Sequence, residues 1–407
     1  MKKNCIVAQS GGPTVAINAS LGGVIDGVIK SSKYDKIYGA IHGIQGVFKQ
    51  EFLDLTESSD EFIDKLTKTP AMYLGSCRYK LPDIEENVQA YKDIFSVFES
   101  MNIGAFFYIG GNDSMDTVAK LAKYAESIGS DIKIAGVPKT IDNDLIETDH
   151  TPGFGSAAKY IAASVREMAY DTYIYDVNSV LIIEIMGRDA GWLTAASALA
   201  RNEFSNAPHL IYLPEVAFDK DAFISDIEKL MPTTKNIIIA VSEGIRDKDG
   251  NYISATTAAA DKFGHAQLSG TGKCLELLVK ERLGVKVRSV EINVLQRCAG
   301  HMASATDLKE SFELGSMAVS LTESGNTGFM TTLTRTNSTP YEYSIDSVPV
   351  SKVANQAKEV PTNWINVSGN DVTKDMIDYI APLIEGEVAG DYVNGVVNYL
   401  DISHLVK

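Results

Sequence analysis

The chain has 407 residues, 45% hydrophobic and 22% charged, and its 53 acidic against 37 basic side chains leave a formal net charge of −16. That balance argues against a nucleic-acid surface, which needs broad basic coverage, and no apolar run approaches the ~20 residues that cross a bilayer. The length suits two domains with a third small layer, and anionic substrates would have to be held by local arginines and lysines against the acidic field.

In chain order, short apolar runs end in glycine or polar loops, and alanine-rich or amphipathic stretches follow them. The opening "NCIVAQSGG" reaches its glycines too soon for a signal peptide and leads into "TVAINASLGGVIDGVI". "IGAFFYIGG" leads into "SMDTVAKLAKYAESIG", where Val118, Leu121, Ala122 and Ala125 share a helix face. "IKIAGVPKTIDND" precedes "GSAAKYIAASVREMAYD", "VLIIEIMGR" precedes "GWLTAASALAR", and "NIIIAVSEG" is a further strand. Strands apolar along their full length belong in a sheet covered on both faces, and the repeated strand–helix order predicts a parallel, doubly wound α/β architecture.

Ligands of such folds meet loops at the carboxyl ends of strands, here "QSGGPT", "GSCRYK", "GGNDS", "PKTIDND", "MGRDAG", "SEG" and "LQRCAG". A first domain is expected to end near residue 148, with "TPGFGS" as the passage to a second. Beyond residue 300, "STPYEYSIDSVPVSKVANQAKEVP" reads as loop plus helix. Cys5, Cys77, Cys274 and Cys298 have no metal-like spacing and read as free thiols of a reducing compartment, so a cytoplasmic location is expected.

The loops carry the chemistry. Gly11 and Gly12 permit close backbone approach before a helix N-terminus that favours an anion, or simply make a tight turn. "SGTGKC" at 269–274 lacks the P-loop spacing and reads as a helix start. In "GGNDS", Gly110 and Gly111 admit a phosphate, while Ser114 either donates to an oxygen or caps the helix. Asp113 would repel that phosphate unless Mg²⁺ lies between them, since magnesium takes carboxylates together with phosphate oxygens.

"PKTIDND" is denser. Lys139 is a point charge suited to phosphate, and Asp142 and Asp144, two apart, can face one region. Either carboxylate could instead be a turn residue. A hydroxyl set against Asp142 could lose its proton as it attacks phosphorus. Arg78, Arg188, Arg288 and Arg297 lie near expected strand ends or loops, where guanidinium forks match phosphate oxygens, and Glu243 could accept from sugar hydroxyls. Metal-assisted phosphoryl transfer to a hydroxyl of an anionic substrate follows.

Taken together, "PKTIDND", "GGNDS", "IMGR", "SEG" and "LQR" resemble the phosphofructokinase family over about residues 4–300. The resemblance implies two Rossmann-like three-layer domains with largely parallel sheets plus a C-terminal extension. Residues 1–148 would bind the donor phosphates. Residues 149–300 would bind the sugar phosphate, with the chain crossing back near their end, and the helices and extension of 301–407 would pack on both domains. It also implies phosphorylation of the 1-hydroxyl of fructose 6-phosphate. Asp142 then resembles the family's base, with Thr140 and Asp144 beside the transferring group. Met186, Gly187, Arg188 and Glu243 resemble the sugar-binding set. Arg297 resembles a contact to the 6-phosphate, and Arg288 the arginine that reaches this phosphate from a neighbouring subunit of a homodimer or homotetramer. Gly11, Gly12, Arg78, Gly111, Asp113 and Ser114 surround the donor.

Members that use ATP have glycine where this chain has Asp113, and "PGTIDND" where it has "PKTIDND". Pyrophosphate-using members resemble it at both places. A side chain at 113 would fill and charge the space of a nucleotide's α-phosphate, whereas Lys139 can balance an outgoing phosphate. The expectation is reversible transfer from pyrophosphate, giving fructose 1,6-bisphosphate and phosphate, with Mg²⁺ held by Asp113 and by Asn112, Asp142 or the donor. Three positions depart from the family. Asn112 replaces a metal-contacting aspartate, Val294 a histidine or tyrosine, and Ser179 an arginine of many ATP enzymes. An ATP-dependent 6-phosphofructokinase and a non-catalytic sugar-phosphate-binding regulatory subunit are the alternatives.

Overall fold

The computed structural model describes residues 2–77, 79–254, 256–258 and 267–406, the side chains of 256–258 and 267–269 excepted. The first half runs β1 (Lys3–Gln9), α1 (Ile17–Ile29), β2 (Tyr34–Ala40), α2 (Ile44–Lys49), β3 (Phe52–Asp54), α3 (Asp60–Lys68), α4 (Val88–Ser100), β4 (Ile103–Gly110), α5 (Asn112–Ser127) and β5 (Lys133–Pro138). Then come α6 (Phe154–Tyr173), β6 (Ser179–Ile185), α7 (Trp192–Ala196), β7 (Leu210–Tyr212), α8 (Lys220–Leu230) and β8 (Asn236–Ser242). A small antiparallel pair, β9 (Thr256–Ala258) and β10 (Gln267–Ser269), precedes α9 (Thr271–Leu283) and β11 (Lys286–Glu291). The chain ends with α10 (Ala305–Glu323), β12 (Phe329–Ser338), β13 (Tyr341–Pro349), α11 (Lys374–Ile380) and the pair β14 (Tyr392–Val393) and β15 (Val396–Val397).

Two main sheets result, in the orders β13-β12-β5-β4-β1-β2-β3 and β11-β6-β8-β7. The second is wholly parallel. The first is parallel from β2 to β12, with antiparallel strands at both edges. In β1, Ile6 and Ala8 pack with Tyr91 and Phe98 of α4 and Leu121 of α5, while Cys5 and Val7 pack with Leu21 of α1 and Leu314 of α10. From Cys5 to Gln9 this interior strand is buried on both faces, which is why the sequence shows a continuous apolar run. β6 repeats the arrangement. Its Val180 and Ile182 meet Phe223 of α8 and Leu275 of α9, and Leu181 and Ile183 meet Ile161 of α6 and Leu193 of α7.

The last hundred residues tie both sheets together. Asp307 of α10 accepts from the backbone N–H of Gly153 (2.8 Å) and of Ser156 (2.9 Å), supplying the cap that α6 lacks at its own N-terminus. Met376 and Ile380 of α11 join the core beneath the second sheet.

Three expectations are corrected. Residues 338–361 are not loop plus helix, because β13 pairs antiparallel with β12 and only a 3₁₀ turn, Val350–Lys352, follows it. The stretch alternates, with Tyr341, Tyr343 and Ile345 half-buried between exposed Glu342, Ser344 and Asp346, a strand period of two. "GWLTAASALAR" is helical only as far as Ala196 and tightens to a 3₁₀ turn over Ser197–Ala200. "GSCRYK" follows α3 and a turn rather than a strand end. Among the described residues no helix is long and apolar enough to cross a membrane.

Candidate active site

Lys139 draws the loops after β1 and β4 together. Its Nζ donates to the carbonyl of Gly12 (2.7 Å), and its backbone N–H to that of Gly110 (2.9 Å). Gly11 has φ +83°, and a Cβ there would stand 3.1 Å from Lys139 Nζ. The residue therefore needs glycine for its backbone and for the ammonium beside it. Ser76 Oγ donates to the carbonyl of Gly11 (2.8 Å), and Leu74 N–H to Gln9 Oε1 (2.9 Å), so the 74–76 segment rides against the same loop. Arg78, expected at the donor, lies outside the described residues.

After β4, Gly111 is the N-cap of α5 and no side chain caps it, so the capping alternative for Ser114 does not hold. Ser114 is buried, and a Cβ on Gly110 would meet its Oγ at 1.9 Å. Asp113 occupies the first turn of α5, where the helix dipole favours a carboxylate. Asn112 stands close enough to Asp144 to lower its carboxyl, and Asn112 Oδ1 is buried without a hydrogen-bond partner. A buried lone acceptor one residue before Asp113 suits a cation that keeps phosphate oxygens and water as its other ligands, as Mg²⁺ does. Among the described residues no three His, Cys, Asp or Glu side chains form a metal cage by themselves.

The loop after β5 holds titratable groups with shifted pKa values. Asp142 N–H donates to Thr140 Oγ1 (3.1 Å). Burial pushes the Asp142 carboxyl up, opposed by Arg188, Lys139 and Arg297. Asp144 is pushed up to about 7 by burial and by the charge of Asp142, with Lys358 and the Asn112 amide acting the other way. Lys139 is driven down to about 8 by burial despite both carboxylates. Acid and base thus shift towards one another, because desolvation outweighs their mutual attraction. Such a cluster is ready to exchange protons with a bound anion.

Loops of the second sheet close the other side. Gly187, at φ +134°, directs its N–H at Glu243 Oε1 (3.4 Å). Burial pushes Glu243 up to about 7 against that N–H, and Asp142 and Arg188 are among the charges it feels. Met186 packs on the core under the second sheet, and Arg188 Nε meets Asp189 at 3.2 Å. Arg297 approaches from the 3₁₀ turn Asn293–Arg297 that follows β11, its Nη1 3.5 Å from where a Cβ of Gly12 would stand. Gly11, Gly12, Gly111, Asn112, Lys139, Thr140, Asp142, Asp144, Arg188, Glu243 and Arg297 are thereby linked through these contacts and charges, with Met186, Gly187, Asp113 and Ser114 adjoining them in the same loops.

Arg288 is not brought to this cluster. It lies half-exposed on edge strand β11, 3.7 Å from Asp171 of α6. Val294 is exposed and Ser179 begins β6. The helix start in "SGTGKC" is filled by the chain itself, since Gly272 N–H donates to Glu184 (2.7 Å) and Gly270 N–H to Glu291 (2.9 Å).

Sequence reasoning missed Lys358 and Tyr379. Lys358 is half-buried, its ammonium lowered to about 8 by desolvation despite Asp149 and Asp144, and it donates to the carbonyls of Thr148 (3.2 Å) and Asp149 (2.7 Å). Neither "AKEVP" nor "DYIAP" carries a spacing that would flag them.

Residues 4–322 match the family model described as phosphofructokinase. A pyrophosphate--fructose 6-phosphate 1-phosphotransferase of Halomonas elongata is 40% identical over 395 residues, covering 96% of this chain and 94% of the relative. One of that name from Methylococcus capsulatus is 38% identical over 406 residues, covering 99% and 96%. The crystal structure of a pyrophosphate-dependent phosphofructokinase from Nitrosospira multiformis aligns with a TM-score of 0.89 at 37% identity, over 98% of this chain and 96% of that one. With matches of this extent over the loops just described, the chain belongs to the phosphofructokinase family.

Proposed function

We propose that this protein reversibly transfers a phosphoryl group from pyrophosphate to the 1-hydroxyl of fructose 6-phosphate, giving fructose 1,6-bisphosphate and phosphate. The observation that carries the reading is the cluster of buried Lys139 with half-buried Asp142 and Asp144, set against Gly11 and Gly12, with the charges of Arg188 and Arg297 acting on Asp142 and with Asp113 in the first turn of α5. Asp142 takes the proton of the 1-hydroxyl as its oxygen attacks the terminal phosphorus, and in reverse returns it. Lys139, held beside Gly12, balances charge on the departing phosphate. Thr140 and Asp144 keep the loop in register beside the transferring group. Glu243, Met186, Gly187 and Arg188 hold the sugar, and Arg297 its 6-phosphate. Asp113 and Asn112, with donor oxygens, would hold Mg²⁺, which would screen the charge of the pyrophosphate.

Asp113 and Lys139 together favour a small inorganic donor, because the carboxylate occupies and charges space that a nucleotide's α-phosphate would need. The exposed position of Arg288 suits a contact offered to another subunit, consistent with a homodimer or homotetramer, and the free cysteines suit a reducing cytoplasm. The test is Asp142→Asn assayed in both directions with Mg²⁺ and pyrophosphate or phosphate. Turnover should fall by several orders of magnitude while fructose 6-phosphate still binds. Turnover like that of the wild type would refute the assignment of the base.

A further inference from the structure

Between the two loop aspartates stands Asn143, fully buried and left-handed at φ 54°. An asparagine tolerates that backbone better than most residues, but at a cost that its surroundings must meet. They do so with a closed relay. Asn143 Oδ1 accepts from Thr151 N–H (3.0 Å), and Asn143 Nδ2 donates to the hydroxyl oxygen of Tyr379 (3.0 Å). The Tyr379 hydroxyl in turn donates to the carbonyl of Asp149 (2.6 Å). That carbonyl also accepts from Lys358 Nζ, and Lys358 N–H donates to the carbonyl of Asp144 (2.7 Å).

Tyr379 itself is immobilised. Its ring packs on Trp192 and Trp364 with centroids 5.3 and 5.2 Å away, the Arg335 guanidinium lies 4.8 Å from its centroid, and Arg335 also donates to its carbonyl (3.0 Å). The turn has a chemical consequence, because it gives the aspartates different neighbours. Asp142 feels Arg188, Lys139 and Arg297, while Asp144 feels Lys358 and the Asn112 amide. A tilt of the Asn143 peptide would move both carboxyls at once.

We propose that Tyr379, on the C-terminal segment, is a positioning residue for phosphoryl transfer. Its hydroxyl, bridging the Asn143 amide and the Asp149 carbonyl, holds the left-handed turn that separates Asp142 from Asp144. The C-terminal segment thus has a part in the reaction without touching substrate. This rests on Asp142 being the base. The mechanism is preorganisation, in which groups already at the reacting geometry need not be ordered during the step.

The experiment uses the full chain and compares Tyr379→Phe, which keeps the ring and its packing, with Asn143→Ala and the double variant. Tyr379→Phe should lower kcat about tenfold in both directions, with the KM values for fructose 6-phosphate and pyrophosphate within about twofold of wild type. In the Asn143→Ala background the same change should cost less than about twofold, because the two residues act in one relay. A Tyr379→Phe protein that melts lower yet keeps its kcat overturns the proposal, as does a loss of kcat that is undiminished in the Asn143→Ala background. The Asp142→Asn control separates the two readings. If it retains turnover, the base assignment fails and this proposal falls with it. If it is inactive while Tyr379→Phe is unimpaired, only the positioning role fails.

Discussion

The ammonium of Lys139 lies 2.7 Å from the carbonyl oxygen of Gly12, so the loop after β5 is clipped to the loop after β1 at the place where a donor phosphate would sit. Removing that charge should damage the step more than the fold. Lys139→Met is expected to lower kcat with pyrophosphate by about a hundredfold or more while leaving binding of fructose 6-phosphate within a few-fold. Steady-state kinetics beside a direct binding titration would show the split, and an unaltered kcat would remove Lys139 from the chemistry.

Donor choice should respond to the two residues together. Asp113→Gly combined with Lys139→Gly opens the first turn of α5 and removes both charges from the donor loops. The double variant is expected to gain ATP-dependent turnover relative to its own pyrophosphate-dependent turnover. If the ratio of kcat/KM for the two donors stays at its wild-type value, the exclusion of nucleotide resides elsewhere.

Burial raises Asp142, and that has a stability consequence with a definite sign. A carboxyl whose folded-state pKa lies above its unfolded value binds its proton more tightly when folded. The folded state then gains at low pH and loses as pH rises above the unfolded value near 4. At pH 8 a carboxyl raised in this way weighs against folding relative to an amide, and Asp142→Asn should melt a few degrees higher. The gain should shrink towards pH 4. A lower melting temperature at pH 8 would mean that Lys139, Arg188 and Arg297 stabilise the carboxylate more than burial opposes it.

His150 makes the opposite case. Its ring nitrogens lie 2.8 Å from Asp149 and 2.6 Å from Glu310, and although burial opposes the charge, these carboxylates push it up to about 9. A histidine raised in this way contributes stability that is complete below its unfolded pKa near 6.5 and is lost as pH climbs through about 9. Melting temperature should fall across that window, and in His150→Gln the fall attributable to this group should vanish. The variant should also be less stable at pH 6, by about 3–5 kcal/mol, because Glu310 is left buried beside an uncharged amide. An unchanged pH slope would show that His150 is neutral in the fold.

Much of this was legible in the sequence because the central strands are apolar on both faces. β1, β4, β5, β6 and β8 stand out as apolar runs, and the loops after them carry Gly11, Gly111, Lys139, Asp142 and Glu243 in compact motifs. β13 reads as loop although its Tyr-x-Tyr-x-Ile alternation is present, because the stretch around it is rich in Pro, Ser and Asn. Lys358 and Tyr379 could not be found by spacing at all. They lie 214 and 235 residues after Asp144, and only the return of the chain through α10, β12 and α11 brings them to it. Asn112 reads as a defective metal ligand, yet it also lowers the Asp144 carboxyl, a use visible only once the two loops face each other.

The central claim is the identity of the donor, and the most direct measurement is kcat/KM for pyrophosphate and for ATP, taken side by side on the purified protein with saturating fructose 6-phosphate and Mg²⁺. The account predicts a value for pyrophosphate at least about a hundredfold above that for ATP, a gap of ~2.7 kcal/mol at the transition state. A clear preference for ATP would contradict it.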